Sequence, residues 1–228
     1  MSLNAIISYD DTVNDHDALM LGRVLAEAGA ELTLAYVRHS MRSELQREQL
    51  EDHHARTLLE RGARWLGDLD TPQRVVLSPS TSEGLRRLAA EANSHLIVFG
   101  SDYRTAPGHV ALGRSVQRLL EGGPTAVAIA PAGYRGGARS QITTLAVLAT
   151  ADDGAARLTG EALAEAFDAT LTADLRRADL LIVGSRPEAA DGRVLVSAQA
   201  QNAIENSTAP VLVLARGVAL ELSALATA

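Results

Sequence analysis

The segment Leu96-Ile-Val-Phe-Gly100 is the most informative part of the sequence for predicting the fold, because it begins a pattern that occurs twice in the chain. A run of apolar residues, typical of a buried strand, ends at Gly100. Tyr103 and Gly113 follow, and an apolar run at 125–130 closes the pattern. This order predicts a strand, a glycine turn, a loop, a short helix and another buried strand.

The same pattern returns at Leu180-Leu-Ile-Val-Gly184. Pro187 and Ser197 stand 3 and 13 residues after its glycine, as the corresponding positions do in the first occurrence (100 to 103 and 113; 184 to 187 and 197). Recurrence at a fixed spacing is the sequence signature of a duplicated unit. We therefore predict two similar α/β units, the second lacking the long middle helix and one strand of the first.

Apolar runs alternate with helical stretches along the rest of the chain. The predicted strands are 4–9, 31–37, 74–77, 95–99 and 125–130 in the first unit, and 143–149, a short one near 170, 179–183 and 211–215 in the second. This alternation predicts an α/β fold with an open parallel sheet and helices on both faces.

We expect two domains, at 1–131 and 141–216, with a Gly- and Arg-containing linker at 132–140. The helix predicted at 40–65 is charged and has few strong apolar positions, so we expect it to be largely exposed. The tail from Gly217 is apolar and has no predicted place.

Composition excludes several classes of function. The net charge of -7 argues against binding along a nucleic-acid backbone, and an aromatic content of 3% leaves few platforms on which bases could stack. The chain has no cysteine, hence no disulfide and no thiolate metal site. No apolar run approaches the roughly 18 residues of a membrane span. We expect a cytoplasmic protein that contacts neither membrane nor nucleic acid and carries no signal peptide.

The turn after the repeated strand is a candidate anion site. Backbone N–H groups and the positive end of a helix dipole would meet where a strand ends in glycine before a helix. Gly100, Gly113, Arg114 and Ser115 would converge there, and the guanidinium of Arg114 could hold a phosphate. The alternative is that these glycines only form a turn and permit close packing.

The order of elements and the motif Gly100-Ser-Asp-Tyr103, nine residues, Gly113-Arg114-Ser115 resemble the universal stress protein family. Nucleotide-binding members of that family carry a Gly-x2-Gly-x9-Gly-Ser/Thr signature before the last helix. The resemblance covers 1–131 well, and 141–216 is similar to a shortened, degenerate second copy. It implies an adenine nucleotide alpha hydrolase-like, or Rossmann-like, fold and ATP or a related adenine nucleotide as ligand, with no cofactor required.

The resemblance also assigns site residues. Asp10 and Val37 would contact adenine or ribose, and Asp11 would replace Asp10 if the first strand ends one residue later. The phosphates would be held by the matched motif positions, which are Gly100, Gly113 and Ser115, with Arg114 beside them.

The chain departs from the family pattern at several positions. Tyr103 stands in place of the second glycine, where a side chain could block the phosphates, and Arg114 takes the place of the Ser/Thr. The second copy has Pro187, Ser197 and Ala198 at the corresponding positions. We therefore interpret the second unit as a built-in partner, because family members pair through their last strands. The chain would be a pseudo-dimer, and a homodimer of the whole chain is a further expectation.

Six polar residues lie close together in the sequence after the first predicted strand, namely Asp10, Asp11 and the four at 14–17. They could form a divalent-metal or ribose site, or they could cap the following helix and pair with its dipole. We favour capping, with Asn14 and Asp15 as the capping residues, and expect no metal site. No His-Glu-x-x-His motif supports zinc proteolysis.

Three functions remain as hypotheses. The leading one is a nucleotide-responsive or structural stress protein without strong catalysis, since the sequence shows no nucleophile–base set. The second is an interaction module that has lost its ligand. The third is an enzyme of the adenine nucleotide alpha hydrolase-like class, which would be expected to carry Ser-Gly-Gly-x-Asp-Ser where this chain has Ser8-Tyr-Asp-Asp-Thr-Val13.

Overall fold

The computed structural model describes residues 3–39, 45–136 and 141–221, with only the backbone of 45–51. The first half contains β1 (Asn4–Ser8), α1 (Asp15–Glu27), β2 (Glu31–Arg38), α2 (Leu45–Leu66), β3 (Gln73–Leu77), α3 (Thr81–Glu91), β4 (Leu96–Gly100), α4 (Arg114–Leu120) and β5 (Ala126–Ala130). The second contains β6 (Thr144–Leu148), α5 (Gly154–Phe167), β7 (Thr170–Thr172), β8 (Leu180–Val183), α6 (Ala198–Glu205) and β9 (Val211–Val213). A single 3₁₀ turn, Tyr134–Gly136, follows β5.

All these strands form one sheet, in the order β3-β2-β1-β4-β5-β9-β8-β6-β7. The described strand pairs are parallel except β5 and β9, which run antiparallel. The predicted α/β fold with a mostly parallel sheet is confirmed. The family resemblance implied a pairing of the last strands, which β5 and β9 make, but the antiparallel direction was not predicted, because apolar runs carry no information about the relative direction of two strands.

Helices cover both faces of the sheet, as predicted. α1, α2 and α5 contribute to one core cluster, and α3, α4 and α6 contribute to the other. Leu21 and Leu163 represent the first cluster, and Leu85 and Ile204 the second; all four are buried. The two cores are built almost entirely from aliphatic side chains, in keeping with the low aromatic content, and each continues across the β5–β9 junction.

The strand order of the first half recurs in the second. β7, β6, β8 and β9 are neighbours in that order, as β2, β1, β4 and β5 are, while α2, β3 and α3 have no counterpart in the described residues. At the junction Ala128 pairs with Leu212, which lies 84 residues later, as Gly184 lies 84 after Gly100 (128 to 212; 100 to 184). Equivalent positions therefore meet at the centre of the junction, as they do on a two-fold axis.

The loops after β4 and after β8 share several hydrogen bonds at corresponding positions. The Ser101 hydroxyl donates to the Ala130 carbonyl (2.8 Å), and the Ser185 hydroxyl donates to the Leu214 carbonyl (2.7 Å). Backbone bonds repeat with the same 84-residue offset: Asp102 to Ala111 and Arg186 to Leu195, Gly108 to Ala132 and Gly192 to Arg216, and Ala132 to His109 and Arg216 to Arg193. The domain limits 1–131 and 141–216 stay a prediction.

The charged helix is exposed along most of its described side chains, as predicted, but one stripe of it is buried. Leu58, Leu59 and Ala63 of α2 are buried. Together with small residues one turn apart they form a single apolar stripe, which is enough to bury one face of a charged helix. Gly62 lies against the ring of Tyr9, where an added Cβ would stand 2.9 Å from a ring carbon. The part of this prediction that covers 40–44 lies outside the described residues.

The predicted linker is tied to the first half at its start. Asp17 is 0% exposed, and its carboxylate accepts hydrogen bonds from the N–H groups of Gly133 and Arg135 (both 2.8 Å) and from the Arg135 guanidinium (3.1 Å). Residues 137–140 of the linker lie outside the described part. The tail does have a place near its start, since Leu220 is 3% exposed and its N–H donates to the Thr159 hydroxyl (2.9 Å).

Candidate functional site

A cleft of about 580 Å³ opens at the carboxyl ends of β1, β2 and β4. Ligands of open α/β sheets bind at such an edge, where the strand order reverses, and here that point lies between β1 and β4. Six of the seven residues selected from the sequence line this cleft: Asp10, Val37, Gly100, Gly113, Arg114 and Ser115. They come from four separate segments of the chain, which the fold brings together at one cleft.

Asp11 is the selected residue that does not line the cleft. Its backbone is left-handed, with φ of 58°, and the turn directs Asp10 and Asp11 to different places. The Asp11 carboxylate accepts a hydrogen bond from the Tyr9 hydroxyl (2.7 Å) and pairs with Arg61 of α2 (2.8 Å). Asp11 therefore joins the first turn to α2, while Asp10 borders the cleft.

Two carboxylates stand on one side of the cleft. The Asp15 carboxylate accepts hydrogen bonds from the N–H groups of Asp10 (2.9 Å) and Thr12 (3.0 Å), which fixes the turn after β1. Burial raises the pKa of Asp10 and of Asp15 above the ordinary value of a carboxyl group, because the charged form loses solvation. Such carboxylates are strong acceptors for hydroxyl or amino donors of a ligand.

Gly100 has a structural role. A Cβ at this position would overlap the carbonyl oxygen of Asn14, so only glycine lets the end of β4 approach the start of α1 this closely. Asn14 stands at the N-cap of α1 without capping it, contrary to the prediction. Its side-chain amide instead donates to the carbonyls of Ser101 (3.1 Å) and Asp102 (2.8 Å), and so holds the loop that frames the cleft.

Gly113 and its counterpart Ser197 begin equivalent helices differently. The Ser197 hydroxyl accepts from the N–H of Ala200 (3.1 Å) and so caps α6. Gly113 has no side chain to offer, and α4 receives no side-chain cap. The first turn of α4 therefore faces the cleft with N–H donors that no side chain occupies, beside Arg114 and Ser115.

Tyr103 stands at the mouth of the cleft, with 66% of its surface exposed and the Arg104 guanidinium 4.9 Å from its ring centroid. The charged side chains of the lining are three carboxylates and two guanidinium groups, namely Asp10, Asp15, Asp102, Arg104 and Arg114. Asp102 and Arg104 were not predicted as site residues, although both flank Tyr103, the position that departs from the family motif.

The acidic turn after β1 does not act as one cluster. Asp10 and Asp15 border the cleft, Asp11 pairs with α2, and Asp17 binds the chain after β5. Among the side chains that the structure describes, those of residues 3–39, 52–136 and 141–221, no three of His, Asp or Glu come close enough to hold a metal ion. Neither does any helix in this part of the chain have the length and apolar character to cross a membrane.

Comparison with known proteins bears on the first half in particular. The model of the universal stress protein family matches residues 4–131, which is more than half of the chain. No curated protein sequence matches at a significant level.

Two solved structures share the fold along nearly the whole chain. A universal stress protein from Archaeoglobus fulgidus DSM 4304 is 14% identical, with 94% of this chain and 96% of that chain covered and a TM-score of 0.67. A putative universal stress protein from Pseudomonas aeruginosa UCBPP-PA14 is 15% identical, with 92% of each chain covered and a TM-score of 0.62. At these identities the likeness is one of fold. By the family match over residues 4–131, the chain belongs to the universal stress protein family.

Proposed function

We propose that the cleft binds an adenine nucleotide and that the chain acts as a nucleotide-responsive protein without catalysis of its own. The observation that carries this proposal is the convergence of Asp10, Val37, Gly100 and the 113–115 segment on one cleft at the switch point of the sheet. These are positions that the family resemblance selects from four distant parts of the sequence.

The chemistry of the lining suits the parts of such a ligand. The carboxylates of Asp10 and Asp15 can accept hydrogen bonds from ribose hydroxyl groups, and the buried side chains of Val37 and Phe99 offer an apolar wall to a base. The uncapped first turn of α4 and the Arg114 guanidinium provide donors for phosphate oxygens.

We further propose that residues 141–216 are a shortened second copy of the family module and serve as a built-in partner. The recurring strand order and the loop hydrogen bonds offset by 84 residues support this. In this copy the Ser197 hydroxyl occupies the Ala200 N–H that a ligand would need, so we expect no second nucleotide site. The pairing of β5 with β9 covers two sheet edges that would otherwise be open.

Calorimetric titration with ATP and with AMP, each with and without Mg²⁺, tests the ligand. We expect binding by the wild type and a loss of about tenfold or more in Asp10→Ala, because a hydrogen bond to a charged group contributes about 1.5–3 kcal/mol. Asp70→Ala is the matched control, since Asp70 is exposed and lies outside this cleft. Absence of heat and of any thermal shift with either nucleotide would refute the proposal.

A second function, an interaction module without a ligand, is favoured by one observation. Tyr103 and Arg104 stand at the mouth of the cleft, and three carboxylates line it, which opposes entry of a polyphosphate. Partner binding that is insensitive to Gly113→Asp, together with silent titrations, would support this function. The cytoplasmic location, the absence of catalysis and the absence of nucleic-acid binding stay predictions.

A further inference from the structure

The carboxylate of Asp102 stands between the two limbs of the loop that frames the cleft. Its Oδ2 atom is 3.8 Å from the point that a Cβ at Gly113 would occupy, and its Oδ1 atom accepts a hydrogen bond from the N–H of Arg104 (3.1 Å). In the proposed function the 113–115 segment holds the phosphate of the ligand. The Asp102 carboxylate therefore lies beside the place that phosphate oxygens would take.

The backbone fixes Asp102 in this position. Its N–H donates to the Ala111 carbonyl (3.0 Å), and its carbonyl accepts from the N–H of Thr105 (2.9 Å) and from the side-chain amide of Asn14 (2.8 Å). Because both backbone groups are bonded, the carboxylate can move away from Gly113 only by turning about its own side-chain bonds.

The path of the loop does not require a carboxylate at this position. The residue 84 positions later is Arg186 (102 to 186), and its N–H makes the corresponding bond to the Leu195 carbonyl (2.9 Å). The Arg186 side chain pairs with Glu188 instead (3.8 Å). A residue of opposite charge thus serves the same backbone, so the charge of Asp102 acts on the cleft and not on the loop.

The charged groups of the cleft differ in their exposure to water. Asp15 and Asp102 are half-buried, whereas Arg104 and Arg114 are exposed, and the Arg104 guanidinium lies over the Tyr103 ring at the mouth. Among the described side chains, no arginine or histidine forms a salt bridge with Asp15 or Asp102. Because solvent screens partly buried charges less than exposed ones, the carboxylates outweigh the guanidinium groups inside the cleft.

We infer that Asp102 makes this cleft select an adenine nucleoside monophosphate over a triphosphate. The inference rests on the proposed function and names the class of ligand within it. A monophosphate brings one charged group, which the Arg114 guanidinium can offset, whereas each further phosphate adds negative charge beside Asp102. Like charges that face each other in a binding site lower affinity by about tenfold or more.

Calorimetric titration of the full chain with AMP and with ATP, each in EDTA and in Mg²⁺, tests the inference on the wild type and on Asp102→Asn. Asparagine keeps the size of the side chain and an acceptor for the Arg104 N–H, and removes only the charge. In EDTA we expect the wild type to bind AMP about tenfold or more tightly than ATP, and Asp102→Asn to remove most of this difference by tightening ATP. The gain should shrink at high salt, because ions screen a repulsion between charges.

Asp70→Asn is the matched control, because it removes the same charge from an exposed residue outside this cleft and should leave the ratio of the two affinities unchanged. Thermal unfolding shows that both variants are folded.

Two results would overturn the inference and leave the proposed function standing: a wild type that binds ATP as tightly as AMP, or an Asp102→Asn variant that tightens both nucleotides alike. Weaker binding of ATP by Asp102→Asn in Mg²⁺ would also overturn it, because Asp102 would then hold the metal that accompanies the phosphates. Absence of heat with both nucleotides in both proteins would overturn the proposed function as well.

Discussion

Helices α4 and α6 begin at corresponding positions but differ in the N-cap residue, which is Gly113 in α4 and Ser197 in α6. Gly113 has φ and ψ of -67° and 162°, and Ser197 has -78° and 160°, so the two backbones are nearly the same. A Cβ at Gly113 would meet only the Asp102 carboxylate, at 3.8 Å. The absence of a side chain at Gly113 is therefore not required by the fold.

This comparison predicts opposite effects of Gly113→Ser on stability and on binding. The new hydroxyl should cap α4 as Ser197 caps α6, and with the reduced freedom of the unfolded chain it should stabilise the fold by about 0.5–1 kcal/mol. The same hydroxyl should weaken nucleotide binding, because it occupies an N–H donor. Chemical denaturation and calorimetry measure the two effects.

Ser197→Ala provides the control for that experiment. It should lose about 1 kcal/mol of stability with the cap and leave nucleotide binding unchanged. If Gly113→Ser binds nucleotide as tightly as the wild type, the first turn of α4 is not part of the ligand site.

Tyr103 takes the place of a glycine of the family motif and stands at the mouth of the cleft. Tyr103→Gly should strengthen binding of ATP more than that of AMP, because the longer phosphate chain extends further toward the mouth of the cleft. Because Tyr103 is 66% exposed, Tyr103→Gly loses little packing, and the added freedom of the unfolded chain should lower stability by only about 1 kcal/mol or less. Calorimetry of Tyr103→Gly beside Tyr103→Phe, which keeps the ring, separates the volume of the side chain from its hydroxyl. Equal gains in both variants would contradict the steric explanation.

Among single residues, the family resemblance led to six that line the cleft: the motif gives the spacing of Gly100, Gly113, Arg114 and Ser115, and the ends of the first two strands give Asp10 and Val37. Their role in binding stays a prediction. It did not predict the contacts of Asn14 and Asp17, which were interpreted as parts of a capping cluster. Asn14 binds carbonyls of residues 101 and 102, and Asp17 binds residues 133 and 135. Partners so distant along the chain leave no local pattern.

Side chains join the first turn of α1 to the C-terminal end of α2. The His16 ring of α1 lies against the Trp65 ring of α2 with centroids 4.5 Å apart, and His16 Nε2 is 3.6 Å from the Asp11 carboxylate. Arg61, Asp17 and Arg135 are the other charged groups that act on His16. Burial lowers the pKa of His16 below its ordinary value, although Asp11 opposes this effect.

This contact predicts a loss of stability in mild acid. Because the folded-state pKa of His16 is lowered, the unfolded chain binds the proton more readily, and the free energy of unfolding should fall as the pH drops below about 6.5. His16→Gln removes this titration, so its stability should fall less than that of the wild type between pH 8 and 5.5. Denaturation at a series of pH values measures the difference. Parallel curves for the two proteins would show that His16 does not titrate with folding.

At the scale of elements, sequence periodicity predicted the strands and most helices to within a few residues. It predicted α2 but not its buried stripe, because a stripe of leucine, alanine and glycine is inconspicuous among many charges. The β7 region was predicted only as a short strand near residue 170, and the observed Thr170–Thr172 strand agrees with that.

The two halves share one sheet and two continuous cores. The buried cluster on the α1 face contains Ile7 and Leu96 of the first half as well as Leu145 and Leu212 of the second. Structures whose halves share a core unfold together when neither half is stable without the other. The joined sheet therefore favours one folding unit rather than two.

We predict a single unfolding transition for the whole chain. Trp65 is the chain's one tryptophan and reports on the first half, whereas far-ultraviolet circular dichroism reports on both. The two probes should give coincident denaturation curves. A dichroism transition that separates from the tryptophan transition would show that the second half unfolds on its own.

The sequence predicted a recurring pattern, and the family resemblance implied that the two units pair through their last strands, as β5 and β9 do; neither gave the antiparallel direction of that pairing. Spacing reveals that a pattern recurs, because each copy obeys the same local rules. The antiparallel β5–β9 pairing depends on the approach of two distant edges, for which neither strand carries a distinguishing residue.

Gly184 stands in the second half 84 residues after Gly100, at the end of the corresponding strand. A Cβ there would overlap the Asp153 carboxylate, much as one at Gly100 would overlap the Asn14 carbonyl. The loop of the second half keeps the same backbone hydrogen bonds with Pro187, Ser197 and Ala198 at the places of Tyr103, Gly113 and Arg114. The backbone of this loop therefore does not depend on those three cleft residues, and they can be replaced with little consequence for its path.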